Sequence, residues 1–493
     1  MTNISESKVK KFFLDSIIYG LGNVINHFIL FLLLYFYVRI LSQSELGAID
    51  LITVSFALIS EFIITGAGYS TFIFYYREKD EQKKKSLLFT SLISQLFTSF
   101  LVTGMLLIRS NSLSHLILKS DAYSLLIIIA SLTLPFTVLT TFAQKYFQIT
   151  GRRYAFTLFI NSNTLLTILL NILLVIILRI GVKGIFLGLL ISNGIFAIIG
   201  IYLIRGAFRF RFSFDYCYRV IKSSAPMLFG AAGAWVSSYI DRIFIVNMLS
   251  LNDNGLYAVA FRFAVPITFL MAAFSQAQSY FFLSQQFEKD SRKHFARVFG
   301  YTYALITAIG LLIALFSREL LQIITTAEYY PAVNLIPFLL LGTIFYAGYN
   351  YVSCALELAL KFKYISFIMV VAGGLNCLLN YLLLPVVGVI GAAIATLATN
   401  SLIFIMSYAF SQKFYPIPYK LKDWNLTTLG FIIFTFIGYY LKTDYQSINV
   451  ILKLILAGIF LLLLFYFNVL KKEDILPLLK SALINLKIIK ANK

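Results

Sequence analysis

The stretch WVSSYIDRIFIVNMLSLNDNGLYAVAFRF, from Trp235 to Phe263, decides how this chain is read. It is apolar enough to cross a bilayer, is expected to turn once near Asn252-Asp253-Asn254-Gly255, and carries Asp241, Arg242 and Arg262 on either side of that point. An ionisable group facing lipid costs roughly 2.5 to 3.5 kcal/mol on insertion scales, so such groups face a cavity or one another. These three charges are therefore the first candidates for function.

The rest of the chain extends the same pattern. Of its 493 residues 60% are hydrophobic and 13% charged, with a mean hydropathy of +0.85, too apolar to present a soluble surface. Hydrophobic segments long enough for a helical span of about 20 residues recur throughout, whereas barrel strands read as alternating segments of about 10. The fold class expected is an all-α polytopic membrane protein. Cys217, Cys354 and Cys377 show no metal-ligand spacing, and no cofactor or metal motif is present. The apolar run from Phe12 to about Ile40 is too long for a cleaved signal and reads as the first span.

Fourteen spans are expected, at about 12–39, 48–75, 87–108, 123–148, 154–179, 184–204, 224–249, 256–283, 298–317, 332–358, 365–385, 389–411, 425–441 and 450–470. The distribution of Lys and Arg tests this. With the amino terminus inside, the inner connections and tail hold 31 of the 41 basic residues and the outer side 8, with Arg242 and Arg262 in the membrane. Both termini are expected in the cytoplasm. The net charge of +20 thus reflects topology and contact with anionic lipids, not a nucleic-acid surface. The outer connections are short, the longest being Arg109 to Ala122 and Arg318 to Pro331, which leaves no soluble domain.

An internal repeat organises the spans. RILSQSELGAID from Arg39 matches NMLSLNDNGLYA from Asn247 at an offset of 208, pairing Leu41 with Leu249, Ser42 with Ser250, Glu45 with Asp253 and Gly47 with Gly255. Leu169-Leu170-Asn171 matches Leu378-Leu379-Asn380, Gly181-Val182-Lys183-Gly184 matches Gly388-Val389-Ile390-Gly391, and Asn193 matches Asn400, at offsets of 209, 207 and 207. Six spans return the chain to its starting side, so the two halves are parallel bundles related by a pseudo-two-fold along the membrane normal. Such a pair encloses a cavity and rocks about its axis. The expected division is a first bundle over 1–204, a basic linker over 205–223, a second bundle over 224–411, two further helices over 412–470 and a basic tail over 471–493.

The Leu-Ser turn closing the first span, its copy at LSLNDNGLYAVAFR, the central basic linker and the two added terminal spans resemble the polysaccharide transporter branch of the MOP flippase superfamily, over essentially the whole chain. That resemblance implies a MATE-like fold. It also implies a function similar to the Wzx-type O-antigen, capsule and lipid II flippases: moving an undecaprenyl-diphosphate-linked glycan from the inner to the outer leaflet of the cytoplasmic membrane. A polysaccharide polymerase is an implied partner, and the chain is expected not to be an enzyme.

Depths follow from the helical rise of about 1.5 Å per residue. Asp241 and Arg242 fall about 11 to 12 Å, and Arg262 about 9 Å, below the outer ends of their spans, in one layer. As neighbours about 100° apart, Asp241 and Arg242 are expected not to pair with each other but to meet Arg262 or a group of the other half. Pro266 removes the donor for the Arg262 carbonyl, so a kink is expected there. For the substrate that the resemblance implies, Arg242 and Arg262 suit the phosphates, with Asp241 beside them, because guanidinium binds phosphate bidentately and stays charged. Glu61, Asp241 and His27 are candidates for a coupling proton or cation; Glu61 and His27 lie near mid-membrane, about 20 Å from an outer and 22 Å from an inner end. Packing or ion pairing is the competing use of each.

Among other polar positions, Arg39 is expected to snorkel at the outer interface. Asn161, Asn163, Asn171, Asn350, Asn376 and Asn380 are read as interhelical hydrogen bonders with a sugar path as the rival use. Glu357 and Lys361 are read as a local i,i+4 pair. Two alternatives to a flippase are a cation-coupled multidrug antiporter of the same superfamily and a membrane-embedded glycan polymerase or glycosyltransferase. No HExxH, GxSxG or P-loop pattern supports the latter.

Overall fold

The chain reads as helix wherever capping chemistry meets an apolar run. A computed structural model describes residues 33–68, 70–271, 274, 291–441 and 446–471, and the described secondary structure is helical. The first helix, α1, is described over 33–40. Then follow α2 (Gln43–Gly68), α3 (Thr71–Arg77), α4 (Glu81–Ile108), a short α5 (Ser110–Leu118), α6 (Ser124–Ile149), α7 (Arg153–Asn171) and α8 (Val182–Ile204). The second half has α9 (Phe214–Met248), α10 (Leu251–Arg262), α11 (Val265–Met271), α12 (Ser291–Leu315), a short α13 (Ser317–Ile324), α14 (Ile336–Leu358), α15 (Phe362–Val387) and α16 (Val389–Phe414). The terminal pair is α17 (Leu421–Tyr440) and α18 (Gln446–Tyr466).

Ten helical stretches among the described residues are long and apolar enough to cross a membrane, and α10 with α11, bent by 43°, makes an eleventh. The bend falls beside Arg262, where Pro266 removes the donor its carbonyl would accept. Helices α9 and α17 occupy the seventh and thirteenth expected spans, and most of the first span lies outside the described residues. Helix α9 begins ten residues before the expected span. Ser213 caps it by accepting from the Tyr216 amide, and Arg219 pairs with Asp215 at 2.7 Å, so part of the basic linker is helical.

The two halves repeat each other in conformation as well as in sequence. Gly181 and Gly388 stand before α8 and α16 with φ of 72° and 63° and ψ of −148° and −149°, a region open to glycine alone. Ser42 and Ser250 each close a capping box, the Glu45 and Asp253 carboxylates accepting from the serine hydroxyls while the Glu45 and Asp253 amides return the bond. Within the first bundle α6 packs on α8 and α4. Within the second, α14 packs on α16 and α15 on α9, and the terminal pair lies against α12. Between the bundles, α2 packs on both α9 and α10.

Two expectations are corrected. The Glu357–Lys361 pair does not form: α14 ends at Leu358 and the chain turns through Leu360 at φ 56°, which takes Lys361 out of helical register and sets its ammonium 5.0 Å from the Phe414 ring. Arg39 does more than reach an interface. Its Nη1 donates to the Ile324 carbonyl at 2.7 Å and its Nη2 to that of Ile323 at 3.3 Å, capping the C-terminal end of α13 in the other half.

Candidate functional site: a buried charge network at the seam

The site lies where α2 of the first bundle meets α9 and α10 of the second. Trp235 fixes the distance between them, its Nε1 donating to the Val54 carbonyl at 2.8 Å. Beside it Arg242 is 1% exposed and makes two ion pairs, Nε to Asp50 Oδ2 at 3.1 Å and Nη1 to Asp241 Oδ1 at 2.7 Å. Nη1 also donates to the Ser238 carbonyl at 3.2 Å. The guanidinium carbon lies 4.7 Å from the Phe261 ring centre, 5.1 Å from that of Tyr239 and 5.3 Å from that of Tyr257. Three aromatic faces and two carboxylates thus replace the water it lost.

Asp241 is satisfied on every side. Its Oδ1 accepts from Nη1 and from the amide of Arg242, and its Oδ2 from the Tyr257 hydroxyl and, at 3.2 Å, from Thr396 Oγ1. The expectation that Asp241 and Arg242 do not pair is therefore wrong. Cβ directions alone point the two apart, but the long arginine arm turns back along the helix because Asp50 and the aromatic rings hold its head in the layer of the Asp241 carboxylate. The expected contact with the other half is present and is made to Asp50, whose side chain is 21% exposed.

Arg262 is placed differently. It lies within electrostatic reach of Asp50, Tyr37 and Tyr329, yet has no hydrogen-bond or ion-pair partner among the described residues. Around it stand polar atoms in the same condition. The Tyr37 and Tyr329 hydroxyls and Asn171 Oδ1 are buried without a hydrogen bond, although Tyr37 faces Asn171. One guanidinium of the layer is thus occupied by carboxylates, and the other keeps its donors unspent among the described residues.

Beyond these charges, toward the starts of α2 and α10, the halves close on each other. The equivalent glycines Gly47 and Gly255 cross on the pseudo-two-fold: a Cβ on Gly47 would lie 2.0 Å from the Leu251 carbonyl oxygen, and one on Gly255 2.0 Å from that of Gln43. Asn254 Nδ2 donates to the Gly47 carbonyl at 2.7 Å across the contact. Backbones meet directly, and the seam is shut where α2 and α10 begin.

A family model described as polysaccharide biosynthesis protein matches residues 36–334. The chain belongs to that family. An uncharacterised membrane protein of Methanocaldococcus jannaschii is 27% identical over 244 residues; the match spans about half of each chain, 47% of this one and 46% of that one. Among solved structures, the lipid II flippase MurJ in an inward closed conformation superposes with a TM-score of 0.76 at 15% identity, covering 92% of this chain and 100% of that one. A multidrug resistance MATE family transporter of the MOP superfamily, inward-facing, gives 0.65 at 15% identity over 81% and 94% of the two chains. This member of the polysaccharide biosynthesis family therefore has the MurJ and MATE fold expected from its repeat.

The remaining positions sort by location. Glu61 is exposed on α2 and accepts from Thr65 Oγ1; eleven residues, or about 16 Å of helix, separate it from Asp50. His27 lies outside the described residues. Several asparagines bond as interhelical ties: Asn163 with Ser192 and Asn193, and Asn376 with Thr399. Asn350 and Asn380 bond along their own helices.

Two functional-grade features were not read from the sequence of this family member. Asp50 sits in the repeat at the place of Ala258, and that mismatch in an otherwise paired segment was its signal. Lys453, 5% exposed in α18, donates to both Glu319 oxygens at 2.6 and 2.8 Å; a lone lysine inside an apolar run was the sign of it. Among the described residues no cluster of three or more His, Cys, Asp or Glu is arranged to hold a metal ion.

Proposed function

We propose that this protein carries an undecaprenyl-diphosphate-linked oligosaccharide from the inner to the outer leaflet of the cytoplasmic membrane by alternating access, for cell-surface polysaccharide synthesis, with both termini in the cytoplasm. The observation that carries the reading is Arg262: a guanidinium at the seam with no hydrogen-bond or ion-pair partner among the described residues, near the Tyr37 and Tyr329 hydroxyls and the Asn171 amide, inside a chain of the polysaccharide biosynthesis family. Phosphate oxygens match that donor set, and sugar hydroxyls match Tyr37, Tyr329 and Asn171. Arg262 is the first phosphate anchor in this scheme. Arg242 is the second, reached when a phosphate oxygen displaces Asp50 from its Nε.

Displacement needs Asp50 to lose its charge or its partner. Protonation of Asp50, which keeps some contact with solvent, releases Arg242 to the diphosphate and makes Asp50 the coupling site beside Asp241. Glu61 and His27 stay candidates for the path of the proton or cation. A polymerase that extends the delivered glycan is the expected partner on the outer side.

Deleting the gene is expected to leave lipid-linked oligosaccharide in the inner leaflet. Arg262→Ala is expected to abolish complementation at unchanged expression, with partial recovery in Arg262→Lys. Unaltered leaflet distribution on deletion, or full export by Arg262→Ala, would sink the reading.

A further inference from the structure

The connection between α12 and α14 folds over the seam as an arm. After α13 the chain makes a short 3₁₀ segment, Ala327–Asn334, and the arm is bonded to the terminal pair on one side: Lys453 donates to Glu319 at 2.6 and 2.8 Å, and the Tyr439 hydroxyl to Asn334 Oδ1 at 2.8 Å. On its other side the 3₁₀ segment packs on α10. Tyr329 drops from it into the core, 0% exposed, within electrostatic reach of both Arg262 and Glu45. Glu45 stands at the start of α2, where the seam is shut, so Tyr329 covers Arg262 from that end.

Arg39 of the first half holds the arm down. Helix α13 ends at Ile324, and the last carbonyls of a helix have no partner within it. Two of them, those of Ile323 and Ile324, accept from Arg39 Nη2 at 3.3 Å and Nη1 at 2.7 Å. The guanidinium is set for this by its own helix: its carbon lies 3.6 Å from the Tyr35 ring centre, and Nη1 also donates to the Tyr35 carbonyl at 2.7 Å. A positive charge at the negative end of α13 adds to these bonds. The repeat makes the arrangement one-sided. Helix α5, the counterpart of α13, packs on α9 of the other half, but Asn247, the repeat mate of Arg39, donates to the Ile243 carbonyl of its own helix at 2.8 Å.

We propose that Arg39 is a positioning residue for the Arg262 site: it latches the arm to the first half, keeps Tyr329 over Arg262 while the starts of α2 and α10 are in contact, and must let go of α13 before Arg262 is reached from that end. The arm is joined to the second half by the chain and by Lys453, so parting the halves breaks the Arg39 bonds and spares those to α18. Because the acceptors are backbone carbonyls, the latch depends on where α13 ends and not on the side chains it carries. The proposal rests on the flippase reading for its purpose, since a glycan leaving by that end passes the arm, and on the fold alone for its geometry.

The test compares the full chain, without substrate, with Arg39→Gln and Arg39→Lys; Arg39 is exposed, so both replacements leave the core intact. Two quantities are read: amide exchange over residues 317–334, and the distance between spin labels at Ser44 and Asn252, across the contact of α2 with α10, in a background lacking the three cysteines. In Arg39→Gln, exchange of the arm is expected to rise about tenfold with α14 unchanged, and the label distance to gain a longer component. Arg39→Lys keeps the charge without the fork and is expected to fall between the two. Unchanged exchange in both variants overturns the latch. Faster exchange with unaltered label distances overturns the positioning role and leaves Arg39 a staple for the arm alone. Neither readout needs substrate, so an unaltered leaflet distribution on gene deletion would refute the flippase reading and leave this result standing.

Discussion

Gly255→Ala should force the contact between the starts of α2 and α10 open. The new Cβ would sit 2.0 Å from the Gln43 carbonyl oxygen and 3.0 Å from the Gln43 carbonyl carbon, both backbone atoms that no rotamer change moves aside. Ordinary carbon contacts lie at about 3.5 Å or more, so α2 and α10 must separate by more than about 1 Å, enough to break the Asn254 bond to Gly47. Overpacking of this kind costs about 1 to 3 kcal/mol. That penalty falls on the closed form alone, because nothing opposes the Cβ once the helices part. At 1.4 kcal/mol per tenfold, the closed population should drop about 5- to 150-fold relative to the open one. Spin labels at Ser44 and Asn252, in a background lacking the three cysteines, report the distance across the seam by pulsed electron resonance. A shift toward the longer distance is expected in Gly255→Ala and in Gly47→Ala, with the double variant less than additive because the two residues share one contact. An unchanged distance distribution together with full glycan export would show that Gly47 and Gly255 are not a moving seam.

Two further outcomes follow from the buried charges. Arg242→Met leaves the Asp241 and Asp50 carboxylates without their cation and should cost about 3 to 5 kcal/mol, seen as a lower Tm, whereas Asp241→Asn, which leaves Arg242 paired with Asp50, should cost less, and adding Asp241→Asn to Arg242→Met should recover part of the loss; independent, additive losses would refute the network. Lys453→Met should loosen the terminal pair from α13 and speed amide exchange at the outer end of α18, and Glu319→Gln in the same chain should restore protection; exchange unaffected by either would mean that the pair holds nothing.

What was legible in the sequence is what local chemistry dictates. Gly181 and Gly388 sit at helix starts with positive φ, so each half needs glycine at the same place whatever packs around it, and the repeat survives in the letters. The Ser-to-carboxylate capping boxes at Ser42 and Ser250 persist for the same reason. Partnerships across the seam leave no such trace. Arg242 and Arg262 look alike in sequence, both single arginines in apolar helices one layer deep. They differ because Asp241 beside Arg242 and Asp50, 192 positions away, both bond Arg242, whereas Asp50 reaches Arg262 only electrostatically.

That asymmetry bears on how transport would be driven. Asp50, Asp241, Arg242 and Arg262 together carry no net formal charge, so the empty layer is balanced without a substrate. A diphosphate adds at least two negative charges to it, and nothing in the layer offsets them, because Arg262 is already counted in that balance. Either a proton or a cation must enter with the substrate, or Asp50 must leave Arg242. Both routes pass through the one carboxylate of the Arg242 network that keeps some contact with solvent. Asp50→Asn separates them: it should weaken any dependence of export on the proton gradient while leaving substrate binding at Arg262 in place. Loss of binding with an intact gradient dependence would place the coupling elsewhere, with Glu61 or His27 next in line.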